Sequence, residues 1–406
     1  MDGKNIKKDF PWFANNKGWI YLDSGASSLK PQAVIDSINL FYTKYSFNTH
    51  NNDSPLTMKL NLIVKTYRAE IAKFINAQQN EIAFTSGATE SMNLIVNNLQ
   101  EKLVKGDEVI ISYGEHTTNL IPWLELIKTK GIKLIYANKK NTYPTATDFI
   151  NAITSKTKII SFASVSNLFG YQINVEQVVK SAKKINKNIM VIVDATQSIP
   201  SEMIDVKKTA VDFMICSAHK MCGPTGIGLV YGKYELLSNF NRPLRLGGGM
   251  NGTVGIDHYG LVPIPDRLEG GTLHGAGIFG FRAAAAYLTK IGMKNVEAYL
   301  KSLKDYIDAQ FKTVKDLEYY YVKSDHPICA FNIQGINPQD LANYLGKKKI
   351  IVRAGMSCVK LQSFITNNPT GAVRASFYLY NTKADVDALV LALKTFKKTA
   401  ILKDLV

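Results

Sequence analysis

Short β-branched runs alternate with helical stretches through the middle of the chain. Val109-Ile110-Ile111, Lys133-Leu134-Ile135-Tyr136, Lys158-Ile159-Ile160-Ser161-Phe162 and Met190-Val191-Ile192-Val193 have strand length, and most positions in them are apolar. That pattern marks strands covered on both sides. Between them, residues 119–130, 147–153 and 175–185 carry helical spacing. Strand, helix and strand at this interval predict right-handed crossovers and a mainly parallel sheet. Two further runs, 213–217 and 226–231, are too close for a crossover helix, so they pair antiparallel or lie apart in the strand order.

Beyond Gly280 the pattern changes. A helical stretch over 282–313, interrupted near Gly292, leads to a strand over 327–333. A helix at 338–345, strands at 350–353 and 373–376, and a last helix at 383–397 complete a smaller α+β unit. Neither an internal repeat nor a low-complexity linker separates the two parts, which predicts a tight interface between them.

Composition narrows the class. The 406 residues, 46% hydrophobic and 20% charged, suffice for two or three domains and exclude a disordered chain or a collagen-like rod. Four scattered cysteines (Cys216, Cys222, Cys329, Cys358) do not make a disulfide framework. No apolar run approaches the ~20 residues that span a bilayer, and the first residues lack a signal-peptide pattern. The expectation is a soluble protein of a reducing cytoplasm, with no membrane partner. The net charge of +16 raises a nucleic-acid reading. Only seven of the 49 basic residues are Arg, the side chain suited to bidentate phosphate and base contacts, so no nucleic-acid partner is expected. A basic surface facing solvent or an acidic partner accounts for the charge.

Three clusters carry chemistry. In Ser217-Ala218-His219-Lys220-Met221-Cys222-Gly223-Pro224-Thr225-Gly226-Ile227-Gly228 a Lys follows a strand directly, where open α/β sheets place ligands. Ser217 and His219 suit a phosphate, and the glycines let backbone turn tightly beside a bulky group. Together they point to a phosphorylated cofactor held as a lysine imine. Upstream, Val193-Asp194-Ala195-Thr196-Gln197 puts an Asp at the end of an apolar strand, which is costly without a cationic partner. A protonated pyridine nitrogen is such a partner, and Gln197 could donate to a phenolic oxygen on the same ring; a helix N-cap is the structural alternative for Asp194. The third, Thr85-Ser86-Gly87-Ala88-Thr89-Glu90, opens a helix over 91–98 and offers free N–H groups and a hydroxyl to an anion, or simply caps the helix. No residues suggest a metal site.

These stretches, with Tyr21-Leu22-Asp23-Ser24-Gly25-Ala26, Glu115-His116, Gly247-Gly248-Gly249 and Gly270-Gly271-Thr272, come in the order found in the class V aminotransferase family. The chain resembles that family of fold-type I pyridoxal phosphate enzymes from about Trp19 to Asp387. Val352-Arg353-Ala354-Gly355-Met356-Ser357-Cys358, 16 residues before Arg374-Ala375-Ser376, is similar to the SUF-type cysteine desulfurases with a short cysteine loop.

The resemblance implies an α/β fold, with a large cofactor domain (20–281) built on a mainly parallel seven-stranded sheet. A small C-terminal domain (282–406) would be joined by segment 1–19. It implies a homodimer that takes L-cysteine to L-alanine and passes sulfur to a SUF-type acceptor protein for iron–sulfur cluster assembly or other sulfur metabolism. Lys220 would hold pyridoxal 5'-phosphate as a Schiff base, Asp194 would pair with its ring nitrogen and Gln197 with its phenolic oxygen. His116 would stack on the ring and act in acid–base steps. The phosphate would lie on the Ala88 backbone, Thr89, Ser217 and His219, with Thr272 from a second subunit. Arg374 would fork onto the substrate carboxylate beside Asn167, and Cys358 would attack the substrate sulfur, with Cys222 as the rival thiol. Cys216 and Cys329 lie in apolar strands as core residues. A selenocysteine lyase or a transaminase on the same scaffold stays open. Two departures from the family pattern stand out: His50-Asn51-Asn52-Asp53-Ser54 replaces a His-Arg-Gly-x-His, and Met356 and Ser357 stand where histidines often precede the nucleophile.

Overall fold

The computed structural model describes residues 3–49 and 51–397. Its centre is a seven-stranded sheet: β1 (Ile82–Thr85), β2 (Glu108–Ile111), β3 (Lys133–Tyr136), β4 (Thr157–Ala163), β5 (Met190–Asp194), β6 (Phe213–Ser217) and β7 (Gly228–Gly232). The strand order is β1-β7-β6-β5-β4-β2-β3. β7 runs antiparallel to both neighbours and every other pairing is parallel. The short link between β6 and β7 thus makes an antiparallel pair, the first of the two outcomes the spacing allowed.

Strand periodicity divides the core. Ile110, Ile160, Val191, Val193, Met214 and Cys216 face one apolar layer. Val109, Ile111, Ile159, Ile192, Phe213 and Ile215 face the other. Successive side chains point to opposite faces, so a run without polar positions buries both. Helices at Ala88–Leu99, Ile121–Lys130, Ala146–Asn151 and Val175–Ile185 occupy the crossovers. The last starts where the Asn174 side chain accepts from the Gln177 N–H at 3.0 Å, and it ends on Lys183 and Lys184, which complement the helix dipole.

The smaller unit has a three-stranded antiparallel sheet in the order Leu317–Tyr319, Ile328–Ile333, Val373–Ser376. Met293–Phe311, Pro338–Lys347 and Lys383–Lys394 are its helices. Its apolar core includes Leu303, Ile307, Phe331, Val373 and Leu389, and also Leu22. The chain's first part reaches this unit: Ile20–Tyr21 pairs parallel with Ile350–Ile351, and the Lys7 amine meets the Asp385 carboxylate at 2.9 Å.

Several elements differ from the pattern-based expectation. The long helical stretch breaks at Gly292, as its glycine suggested, but its first helix is Gly275–Ile291 and starts seven residues early. Glycine lowers intrinsic helix propensity, whereas here packing rewards it: a Cβ on Gly275 would collide with the Phe41 ring, and one on Gly280 would sit 2.8 Å from Pro224. The helix at Ala88 likewise starts earlier than 91. The strand expected at 350–353 is only Ile350–Ile351, and Arg353 joins Arg374 through an isolated bridge. Helices Gln32–Lys44 and Pro55–Phe74 and the hairpin Asn251–Val254 with Tyr259–Leu261 were not anticipated. Among the described residues, no helix is long and apolar enough to cross a membrane.

Candidate active site

Parallel pairing sets Ala163 of β4 beside Asp194 of β5, and Asp194 beside Ile215 of β6. The carboxyl ends of these strands therefore open on one edge of the sheet, the place where α/β folds bind ligands. A cavity of about 220 Å³ lies there. Ala88, Thr89, His116, Asn167, Asp194, Gln197, Ser217, His219, Lys220, Cys358 and Arg374 all line it. Thr272 does not; it lines a separate cavity with Thr85, Ser86, Glu90 and Arg245.

At one end of the cavity, the first turn of helix Ala88–Leu99 supplies backbone donors. The Ala88 N–H donates to Ser217 Oγ at 2.8 Å, and Thr89 Oγ1 lies 2.9 Å from Thr118 Oγ1. Gly87 enters the helix at φ 149°, a conformation L side chains rarely adopt, so the entry turn favours glycine. Hydroxyls and free N–H groups at a helix start make an anion cradle.

Lys220 stands on a single turn, Ala218–Lys220, directly after β6. Burial pulls its ammonium down to about 8, against the opposing pull of Asp194. Asp194 is buried, with Oδ1 accepting from the Thr196 N–H at 2.9 Å. Gln197 Nε2 donates to the Gly25 carbonyl at 2.8 Å. His116 Nδ1 accepts from the Thr118 N–H at 3.1 Å, which leaves Nε2 to carry the ring proton. Burial, helped by the Lys220 charge, lowers His116 to about 4, so the ring is neutral near pH 7. Burial lowers His219 to about 4 as well.

Arg374 sits on strand Val373–Ser376 and is buried. It donates from Nη1 to the Asn167 carbonyl at 2.8 Å and from Nη2 to Asp23 Oδ1 at 2.6 Å. Cys358 is exposed on a loop where Gly355, Ser357 and Cys358 have φ of 96°, 47° and 63°. Left-handed backbone at two successive non-glycine residues is strained and needs support. Support comes from Asn167 Nδ2 donating to the Ser357 carbonyl at 2.6 Å and the Thr117 N–H donating to the Cys358 carbonyl at 3.0 Å. The other three thiols are buried, and burial pushes Cys216 and Cys222 up to about 12 and Cys329 to about 11. Cys222 is therefore a poor nucleophile despite its nearness in sequence to Lys220.

Sequence reasoning gave no role to Asp23, Thr118 or the Thr117 backbone. Asp23 stood inside a motif, but its pairing with a residue 351 positions away has no sequence signal. Of the two departures from the family pattern, His50 lies outside the described residues. Ser54 caps helix Pro55–Phe74 through a box with Thr57.

The residues fit a phosphate-bearing aldehyde with a basic ring nitrogen. Amine, carboxylate and anion cradle face one cavity, and Thr196 Oγ1, Ser357 Oγ and Arg374 Nε among its lining residues are buried without a hydrogen-bond partner. Buried polar atoms of this kind call for a ligand or water.

Aminotransferase class-V is the family whose model matches residues 20–389. This chain belongs to the aminotransferase class-V family. Within curated proteins of the same kind, "Probable cysteine desulfurase" of Ureaplasma parvum serovar 3 is 47% identical over 394 residues, covering 97% of this chain and 98% of that one. The protein of the same name from Mycoplasma genitalium is 34% identical, with 98% and 97% covered. Among solved structures, the cysteine desulfurase CsdA from Escherichia coli superposes with a TM-score of 0.89 at 30% identity over 100% of both chains. An apo cysteine desulfurase from Thermococcus onnurineus gives 0.87 at 29%, with 96% of each chain covered.

Proposed function

We propose that this chain is a pyridoxal-phosphate-dependent cysteine desulfurase, converting L-cysteine to L-alanine with the sulfur held as a persulfide on Cys358. The observation that carries the reading is an exposed thiol, on a loop whose Ser357 and Cys358 carbonyls are held by Asn167 Nδ2 and the Thr117 N–H, on the wall of a cavity that also presents Lys220, Asp194 and Arg374. Pyridoxal 5'-phosphate, when bound, supplies an aldehyde for the amine and a ring that draws electrons from the substrate Cα. Lys220 would hold the cofactor through its amine and, once freed, would carry the Cα proton. Asp194 would pair with the ring nitrogen, Gln197 would serve the phenolic oxygen and neutral His116 would lie against the ring. Ala88, Thr89, Ser217 and His219 would receive the phosphate. Arg374 turns toward the substrate carboxylate beside Asn167. The Cys358 thiolate then attacks the substrate sulfur: an S–S bond forms, the Cβ–S bond breaks, and Cβ keeps the electron pair and takes a proton.

The same reading includes a homodimer. Thr272, which does not line the Lys220 cavity of its own chain, would complete the phosphate site of a second copy, and Val254, Ile256 and Tyr259 on the exposed hairpin would lie in the contact. In this reading the large domain runs from residue 20 through helix Gly275–Ile291, past the 281 boundary expected from the sequence, and the described residues from Met293 to 397 make the small one. Four unpaired cysteines suit a reducing cytoplasm, and the persulfide goes to a SUF-type acceptor protein serving iron–sulfur cluster assembly.

Alanine and sulfide are measured from cysteine with dithiothreitol present. The wild type should yield both in equal amounts. Cys358→Ser should lose at least roughly 100-fold in rate while cysteine still shifts the cofactor spectrum. A keto acid product in place of alanine, or full turnover by the Cys358 variant, would replace this reading with a transaminase or a lyase that uses no protein thiol.

A further inference from the structure

The charge around the exposed thiol has a one-sided distribution that the chemistry inside the cavity does not use. From residue 341 to 384 the sequence holds no Asp or Glu, and Cys358 lies inside that stretch. A second acid-free stretch runs from 126 to 147. The two meet in space beside the cysteine loop. The Asn141 N–H donates to the Phe364 carbonyl at 2.7 Å, and Lys140 Nζ sits 5.0 Å from the centre of the Phe364 ring. Phe364 stacks on Tyr113, centroids 5.0 Å apart, and Tyr113 follows β2 on the way to Thr117, whose N–H holds the Cys358 carbonyl. Lys139, Lys140 and Lys360 are exposed on this rim, and none of them pairs with a carboxylate among the described residues. Elsewhere some lysines, such as Lys7, Lys183, Lys207, Lys233 and Lys304, pair with acids, but most of those described do not, so it is the acid-free stretches that set this rim apart.

We propose that Lys139, Lys140 and Lys360 form a docking rim for an acceptor protein whose receiving thiol is surrounded by acidic side chains. The proposal rests on the persulfide reading of Cys358. Charge complementarity argues for this occupant: three exposed ammonium groups without an acid partner, one of them (Lys140) over the Phe364 ring, raise the local concentration of an acidic partner and speed encounter. The transfer itself needs no oxidant. The acceptor thiolate attacks the outer sulfur of the persulfide, a new S–S bond forms on the acceptor, the Cys358 S–S bond breaks, and Cys358 leaves as a thiolate.

The test uses the holoenzyme and three synthetic peptides, each with one cysteine flanked by four Glu, four Ser or four Lys. Each transfer rate from the loaded enzyme is divided by the rate of the same peptide with a free low-mass persulfide, which removes differences in thiol acidity. The acidic peptide should be faster than the neutral one by on the order of tenfold at low salt, with the gap closing as ionic strength rises. The triple variant Lys139→Glu, Lys140→Glu, Lys360→Glu should favour the basic peptide, while alanine formation with dithiothreitol stays at the wild-type rate. A double variant, Lys139→Glu with Lys360→Glu, spares the Lys140–Phe364 contact and should show the same change to a smaller degree. Equal normalised rates for the three peptides, or an unchanged preference in both variants, would overturn the docking rim. Absence of alanine from the wild type would instead overturn the desulfurase reading beneath it.

Discussion

Lys220 is an amine whose reactivity depends on where the strand leaves it. In water its neutral form is scarce at physiological pH; in the cavity, burial draws the value down to about 8. Only the neutral amine adds to an aldehyde, so reconstitution of the apoprotein with pyridoxal 5'-phosphate should speed up as pH rises through about 8 and then level off. Stopped-flow absorbance between pH 6 and 10 checks this; a rate that is flat across pH 8 contradicts it. Lys220→Ala should retain no borohydride-stable cofactor after dialysis. The thiols separate on the same physical ground. Cys222 is buried with its ionisation pushed up to about 12, whereas Cys358 is exposed, so Cys222→Ser should keep most of the turnover. After exposure to cysteine, mass spectrometry should find one added sulfur on the Cys358 peptide. Sulfur found on Cys222 would reverse the assignment.

Elements are tied together at the strand ends by Glu115, which is buried between β2 and β4. Its carboxylate accepts from Ser112 Oγ at 2.6 Å, Asn119 Nδ2 at 2.8 Å and the Ala163 N–H at 2.9 Å. Asn119 Oδ1 in turn accepts from Trp123 Nε1, so the network links the strands to helix Ile121–Lys130 and orients the segment that carries His116. Burial, with a smaller push from the Asp194 charge, raises Glu115 from 4.5 to about 7 despite these donors. The folded state thus binds a proton between pH 4.5 and 7 that the unfolded state has released, and this group's contribution to stability falls as pH rises through that window. Its size is at most roughly 3 kcal/mol. Glu115→Gln keeps the shape, and its amide can donate to Ser112 Oγ. Urea unfolding of the apoprotein at pH 5 and pH 7.5 should show a smaller loss of midpoint for this variant than for the wild type. Equal losses would mean that Glu115 does not carry the effect.

At the scale of the whole molecule, the loop bearing Gly270-Gly271-Thr272 is anchored to its own sheet and yet does not reach its own cavity. Glu269 receives the Arg68 guanidinium through both Nη atoms, at 2.5 and 2.6 Å, and the Phe84 N–H of β1 at 2.6 Å. Such a buried, forked pair fixes the loop, since loss of one partner would strand a buried charge. If that loop serves a second copy, light scattering at micromolar concentration should report twice the chain mass. Thr272→Val should then weaken cofactor retention without changing that mass. A fully active monomer would contradict the shared site.

The sequence by itself determined the sheet and which residues gather at its strand ends. Apolar runs such as 109–111 and 190–193 read as strands covered on both faces, and the residues that end those strands, Asp194 and Ser217 with Lys220 after it, are placed by parallel pairing at one edge. Local rules reach that far because strand direction and side-chain alternation are short-range. What tertiary structure decided is who meets whom across long separations. Arg374 is held by Asp23 and Asn167, the strained Ser357–Cys358 turn by Asn167 and Thr117, and the acid-free stretches around Lys140 and Lys360 come together through Phe364 and its neighbours. Helix Gly275–Ile291 belongs to the same class, because its glycines weaken it locally and are repaid only by close packing on Phe41 and Pro224. Contacts of this kind depend on shape and burial between distant segments, and no spacing along the chain encodes them.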